Sequence, residues 1–158
     1  MKILPINTKS KKYNIYVGHN LFTKFNKILK RENISFNKSL IVVDKNIPKK
    51  YIKNLYTKIK CEKKLIFFFN SSEKNKNLKY INSILEILFK NNFSRNDTII
   101  CLGGGITGDV SAFAASIYKR GLKFINIPST LLSQVDSSIG GKTGVNNKFG
   151  KNLIGSFY

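Results

Sequence analysis

Histidine is nearly missing from this chain: of its 158 residues only His19 is one, tryptophan is absent, and there are two cysteines, Cys61 and Cys101. One imidazole and two scattered thiols do not make a zinc site, since such sites draw three or four ligands mostly from His and Cys. The cysteines form no C-x-x-C pair, and Cys101 falls in an apolar run, which suits a reducing compartment. No apolar run approaches the roughly 20 residues that span a bilayer; the longest, Leu65-Ile66-Phe67-Phe68-Phe69, has the length of a strand. The start, Met1-Lys2-Ile3-Leu4-Pro5, has neither the apolar core nor the small-residue cleavage site of a signal peptide. These features read as a soluble cytosolic protein.

Acidic residues are scarce as well: eight stand against 28 basic ones, for a formal charge of +20. A surplus of that size raises nucleic-acid binding as a function. Arginine, the preferred side chain for phosphate forks and base edges, supplies only Arg31, Arg95 and Arg120. Residues 101–158 hold six basic and two acidic residues, so the stretch with the chemical motifs is the less basic one. The charge therefore reads as a compositional bias toward Lys, Asn, Ile and Phe, and nucleic acid is not the expected partner.

Apolar residues make up 42% of the chain, enough for a core at this length. Strand-like runs alternate with helical periodicity. Strands are expected at 13–17, 40–43, 65–69, 98–102 and 124–127. Helices are expected at 21–29, from Pro48 to Ile59, around Ile81, Ile84, Leu85 and Leu88, and over 109–118. This alternation predicts one α/β domain over 1–158, with a Rossmann-like, mostly parallel sheet flanked by helices. Asn70–Asn77 reads as a loop at a strand's carboxyl end, where ligands of such sheets gather. After Pro128 the chain turns rich in Gly, Ser, Thr, Lys and Asn. Long structureless stretches of this kind are uncommon unless functional, so 128–158 is expected to be a ligand-contacting loop segment.

Three motifs carry chemistry. Gly103-Gly104-Gly105-Ile106-Thr107-Gly108-Asp109 follows a strand and opens a helix. Its glycines let backbone approach a phosphate, and the helix N-terminus offers free N–H groups. The acid that an ordinary dinucleotide fold places at the end of the next strand is missing, because that strand ends at Pro128. Gly140-Gly141-Lys142-Thr143 invites a P-loop reading, but a P-loop needs Gly at position 136, which is Asp. Finally, Asp109, Arg120, Ser129, Thr130, Asp136, Lys142, Lys151 and Asn152 crowd into a short stretch. Cations, carboxylates, amides and hydroxyls in that mixture suit a polyhydroxylated anionic substrate.

The stretches 102–109, 118–121, Ile127-Pro128-Ser129-Thr130 through Asn146, and 150–158 together resemble 3-dehydroquinate synthase nearly continuously. The resemblance implies NAD as cofactor and a divalent metal, zinc or cobalt. It implies a phosphate-eliminating cyclisation of 3-deoxy-D-arabino-heptulosonate 7-phosphate to 3-dehydroquinate. Under it, Asp44 and Asn46 meet the adenosine end of NAD, and Glu73 and Lys76 line the cofactor. Gly104, Gly105 and Ile106 lie against the pyrophosphate, and Asp109 sits near the nicotinamide ribose. Ser129 and Thr130 stand where the family has a Thr pair. Asp136, Lys142 and Asn152 touch substrate, Lys142 and Lys151 the cofactor, and Arg120 reaches the substrate phosphate of a neighbouring subunit, which implies a homodimer. The family's metal ligands, a Glu and two His, come from a helical domain that the resemblance places beyond Tyr158. This chain is accordingly expected to lack them and to be inactive alone. Another sugar-phosphate cyclase, a distant glycerol dehydrogenase relative, or a non-catalytic nucleotide- or RNA-binding remnant are the competing readings.

Overall fold

The computed structural model describes residues 1–7 and 12–158. The chain divides into two compact units, Met1–Ser35 with Lys49–Lys60, and Phe36–Pro48 with Cys61–Tyr158.

In the first unit, β1 (Lys2–Asn7) pairs antiparallel with β2 (Lys12–Val17), with Ile3 opposite Tyr16. A short 3-10 turn, Leu21–Lys24, leads into α1 (Phe25–Arg31). The other helix, α2 (Lys49–Lys58), starts directly after Pro48; a proline is tolerated there because a first-turn N–H has no helical partner.

The second unit is built on a four-stranded parallel sheet: β3 (Lys38–Asp44), β4 (Lys63–Phe69), β5 (Thr98–Gly103) and β6 (Lys123–Pro128), in the spatial order β4-β3-β5-β6. Leu40, Ile41, Val42 and Val43 of β3 and Ile99, Ile100 and Cys101 of β5 are buried, as strands covered on both faces require. Helix α3 (Leu78–Lys90) begins at Asn77, whose side-chain oxygen accepts from the N–H groups of Lys79 and Tyr80. It buries Ile81, Ile84 and Leu88, the i, i+3, i+7 face read from the sequence. Truncating any of these to Ala removes about 2–5 kcal/mol. Helix α4 (Gly105–Ile117) is buried over most of its length, Val110 through Ala115 included. Its small side chains let it lie between β5 and β6 on one side and a hairpin on the other.

That hairpin is β7 (Lys142–Asn147) and β8 (Gly150–Phe157), joined by Lys148 and Phe149. It occupies ground that the sequence marks as an irregular loop. Glycine, a strand breaker in composition, is required by the packing here: a Cβ on Gly155 would stand 2.0 Å from the Thr143 carbonyl oxygen.

At the amino end of the sheet, lysines donate to backbone carbonyls of the α3–β5 connection. Lys38 Nζ donates to the carbonyls of Asn91 (3.0 Å) and Asn92 (2.9 Å), Lys119 Nζ to Phe93 (2.8 Å) and Lys123 Nζ to Asn96 (3.0 Å). In the same corner the buried Asp97 accepts the N–H groups of Lys38 (2.8 Å) and Ser94 (2.7 Å). Burial raises the Asp97 carboxyl, but the Ser94 and Lys38 N–H groups and the Ser94 hydroxyl outweigh it and hold the group below its ordinary value.

Candidate functional site

The strand order fixes where a crevice forms. From β3 the next strand is added on one side, and from β5 on the other, so the order reverses between β3 and β5. Crossover connections leave that gap uncovered at the carboxyl ends of the two strands, the place where open α/β sheets bind ligands. The residues there are Asp44, which ends β3, and Gly103-Gly104, which end β5 and cap α4.

Gly104 carries no side-chain cap for α4, so the first-turn N–H groups face the crevice without a side-chain acceptor. The loop is closely walled: a Cβ on Gly105 would lie 2.8 Å from Ser137 Oγ, and one on Gly104 3.3 Å from Thr130 Cγ2. Thr130 and Ser133 share a cluster of bonds, including Thr130 Oγ1 to Ser133 Oγ at 2.9 Å, that starts the short helix Ser133–Ser137. Ser129 N–H donates to the Gly103 carbonyl (2.9 Å), tying the loop after β6 to the end of β5. Across the crevice Asp44 accepts the Asn46 N–H (2.9 Å), which turns the chain sharply out of β3.

One turn into α4, Asp109 meets the buried Lys76 at 2.5 Å. Lys76 Nζ also donates to Asn152 Oδ1 (2.6 Å), joining the β4–α3 loop, α4 and β8. Burial pushes the Asp109 carboxyl up; the Lys76 bond and charge offset part of this, and the charges of Glu73 and Asp136 add to the rise. Asn146 completes the group, bonded to Glu73 and to the N–H of Asn152.

The structure thus gathers Gly104, Gly105, Ile106, Asp109, Ser129, Thr130, Glu73, Lys76 and Asn152 around the carboxyl end of the sheet, with Asp44 and Asn46 at the end of the neighbouring strand. Asp136 is exposed on the short helix, its charge felt at Asp109. Lys151 is exposed beside Asn152. Two residues lie at a distance from Asn152. Arg120 follows the far end of α4, whose 13 residues span about 20 Å. Lys142 pairs with Phe157 at the open end of the hairpin, while Asn152 lies toward its turn. Sequence reasoning passed over Asn146, Ser133 and Ser137. No spacing marks a lone amide or hydroxyl, and only the folded contacts reveal them.

A profile of the family described as 3-dehydroquinate synthase N-terminal matches residues 66–158, which include the Gly-rich turn, Lys76, Asp109 and the hairpin. The chain belongs to that family. The 3-dehydroquinate synthase of Pelagibacter ubique (strain HTCC1062) is 61% identical over 155 residues, covering 98% of this chain and 42% of that protein. Among solved structures, 2-deoxy-scyllo-inosose synthase complexed with carbaglucose-6-phosphate, NAD+ and Co2+ superposes with a TM-score of 0.91 at 26% identity, over 99% of this chain and 42% of that one. The 2-epi-5-epi-valiolone synthase of Streptomyces hygroscopicus subsp. jinggangensis 5008, with NAD+ and Zn2+ bound, gives 0.77 at 25% identity, over 97% of this chain and 42% of that one. The chain spans less than half the length of each of these synthases.

Proposed function

We propose that this chain is the NAD+-binding part of a 3-dehydroquinate synthase. In that reaction 3-deoxy-D-arabino-heptulosonate 7-phosphate closes to 3-dehydroquinate with loss of phosphate. The observation that carries the reading is the Gly103–Asp109 turn, set at the point where strand order reverses and feeding an uncapped helix N-terminus.

The residues fit the cofactor. Backbone N–H groups of the first turn of α4 suit a pyrophosphate, and a side chain at Gly104 or Gly105 would crowd Thr130 or Ser137. Asp44 and Asn46 are placed for the adenosine end. Asp109 can accept from a ribose hydroxyl, and Lys76 balances its charge in a buried setting. When bound, NAD+ supplies a hydride acceptor that is restored by the end of the turnover. Asp136, Lys142, Lys151 and Asn152 serve as polar contacts for substrate and cofactor, and Arg120, far from this chain's own crevice, serves a second copy in the homodimer of the full-length enzyme.

The divalent metal is a different matter. Among the described residues no three His, Cys, Asp or Glu side chains come together as ligands, so no step is routed through a metal held by this chain. Among the described residues no helix is long and apolar enough to cross a membrane.

Titrating NAD+ into the purified chain in a calorimeter tests the reading. Saturable binding with one site per chain is the expected result. No heat at millimolar NAD+ would overturn it.

A further inference from the structure

Asn146 belongs to β7, yet its backbone leaves the ladder with β8. The register breaks between Val145 and Asn147, and this irregularity releases Asn146 from the hairpin ladder. Its backbone instead bridges in parallel to Asn77, and its N–H donates to the Lys76 carbonyl at 2.7 Å. The side chain works in both directions. Nδ2 donates to the Glu73 carboxylate at 2.8 Å and to the Glu73 carbonyl at 3.3 Å, while Oδ1 accepts the Asn152 N–H at 2.9 Å. Asn152 has a left-handed backbone, with φ of 56°, a conformation that asparagine tolerates better than most side chains.

These bonds converge on three residues placed at the cofactor. Lys76 reaches Asp109 and Asn152 only while the β4–α3 loop and the start of β8 keep their spacing, and Asn146 joins the two. We propose that Asn146 is the positioning residue of this site. It holds Glu73, Lys76 and Asn152 in place around Asp109 without touching the ligand itself. The inference rests on the reading of the crevice as an NAD+ site. An amide suits the task because it offers a donor and an acceptor on one fork. Aspartate keeps the acceptor toward Asn152 but sets a second carboxylate against Glu73. Leucine, which shares the branched outline of asparagine though it is bulkier, supplies neither group.

Asn146→Leu and Asn146→Asp are made in the full chain, with Lys148→Ala in the hairpin turn as control. Amide hydrogen exchange at Asn152 is followed by NMR, NAD+ affinity by calorimetry and folding by thermal melting. Asn146→Leu is expected to speed exchange at Asn152 and weaken NAD+ binding, each by about tenfold, the scale of one or two lost hydrogen bonds. Asn146→Asp is expected to keep Asn152 protected and still to lose affinity, and Lys148→Ala to match the wild type in both. Wild-type exchange at Asn152 in Asn146→Leu overturns the proposal. So does wild-type affinity in Asn146→Asp, which decides the matter even where the leucine variant melts without cooperativity. A wild-type chain that binds no NAD+ refutes the reading of the crevice, and the exchange at Asn152 still decides the positioning.

Discussion

Lys76 and Asp109 form an ion pair at 2.5 Å, with side chains 7% and 19% exposed, across two segments that the sequence separates by a strand and a helix. A buried ammonium beside a carboxylate lowers the cost of keeping that carboxylate charged. Replacing Lys76 by Met removes this help, so the Asp109 carboxyl, already raised by burial, should titrate still higher. Carbon-detected NMR of its side-chain carboxyl reads the midpoint directly. An unchanged midpoint in the variant would show that the pair carries no electrostatic weight.

Two aspartates should report on pH with opposite signs. Asp109 is raised by folding, so its contribution to stability is full below the unfolded value, about 3.9, and is lost as pH rises through the folded value. Asp97 is lowered, so its contribution is full above the unfolded value and is lost as pH falls through the folded one. The stability difference between wild type and Asp97→Asn should therefore shrink on acidification below about pH 4, whereas wild type should gain stability relative to Asp109→Asn as pH is lowered toward about 4 and level off below it. Denaturant unfolding at several pH values measures both; parallel curves for the two variants would contradict the assignment.

Gly105 and Gly155 separate binding from folding. A side chain at Gly105 enters the crevice toward Ser137, and one at Gly155 collides with the Thr143 backbone inside the hairpin. Gly105→Val should abolish NAD+ binding while leaving most of the stability. Gly155→Ala should destabilise by about 1–3 kcal/mol, as overpacking does. Equal NAD+ affinities for wild type and Gly105→Val would refute the placement of the pyrophosphate.

The thiols should differ in reactivity. Burial pushes Cys101 up to about 12, whereas Cys61 is partly exposed with its sulfur 3.4 Å from Ser39 Oγ. Since the thiolate is the reactive form, a thiol reagent at pH 8 should label Cys61 in the native chain and Cys101 only after unfolding. Rapid labelling of both under native conditions would show that β5 opens readily.

Leu131, Leu132 and Val135 on the short helix segment and Leu153 and Phe157 on β8 are strongly exposed, Leu131 at 77% and Phe157 at 81%. Apolar surface of this kind favours association, while a charge of +20 opposes it over a screening length of about 10 Å at 0.1 M salt. Light scattering should show monomer at low salt and growing association as salt rises. A monodisperse monomer throughout would show that these side chains form no sticky surface.

Much of the central sheet could be read from the sequence. β3 and β5 announce themselves as continuous apolar runs, and α3 by its spacing of Ile81, Ile84 and Leu88. The Gly103–Asp109 turn was legible because its use depends on local order, strand then glycines then helix. The β7–β8 hairpin was not. Its strands, Lys-Thr-Gly-Val-Asn-Asn and Gly-Lys-Asn-Leu-Ile-Gly-Ser-Phe, carry the composition of loops, and they pair because glycine lets the backbones approach. β1 escaped notice for a similar reason, with Pro5 inside a short strand. The Lys76–Asp109–Asn152 grouping depends on three separate elements, and no local pattern encodes it. The resemblance supplied those residues individually; their mutual bonds came only from the fold.

The lysine corner at the amino end of the sheet changes what the charge of this chain can do. Lys38, Lys119 and Lys123 spend their protons on carbonyls of the α3–β5 connection, and Lys76 is committed to Asp109 and Asn152. An ammonium held this way is scaffolding: it closes a helix end or a loop while keeping its positive charge. Four of the 28 basic side chains therefore double as structural ties, and removing them to lower the charge would cost the fold those bonds.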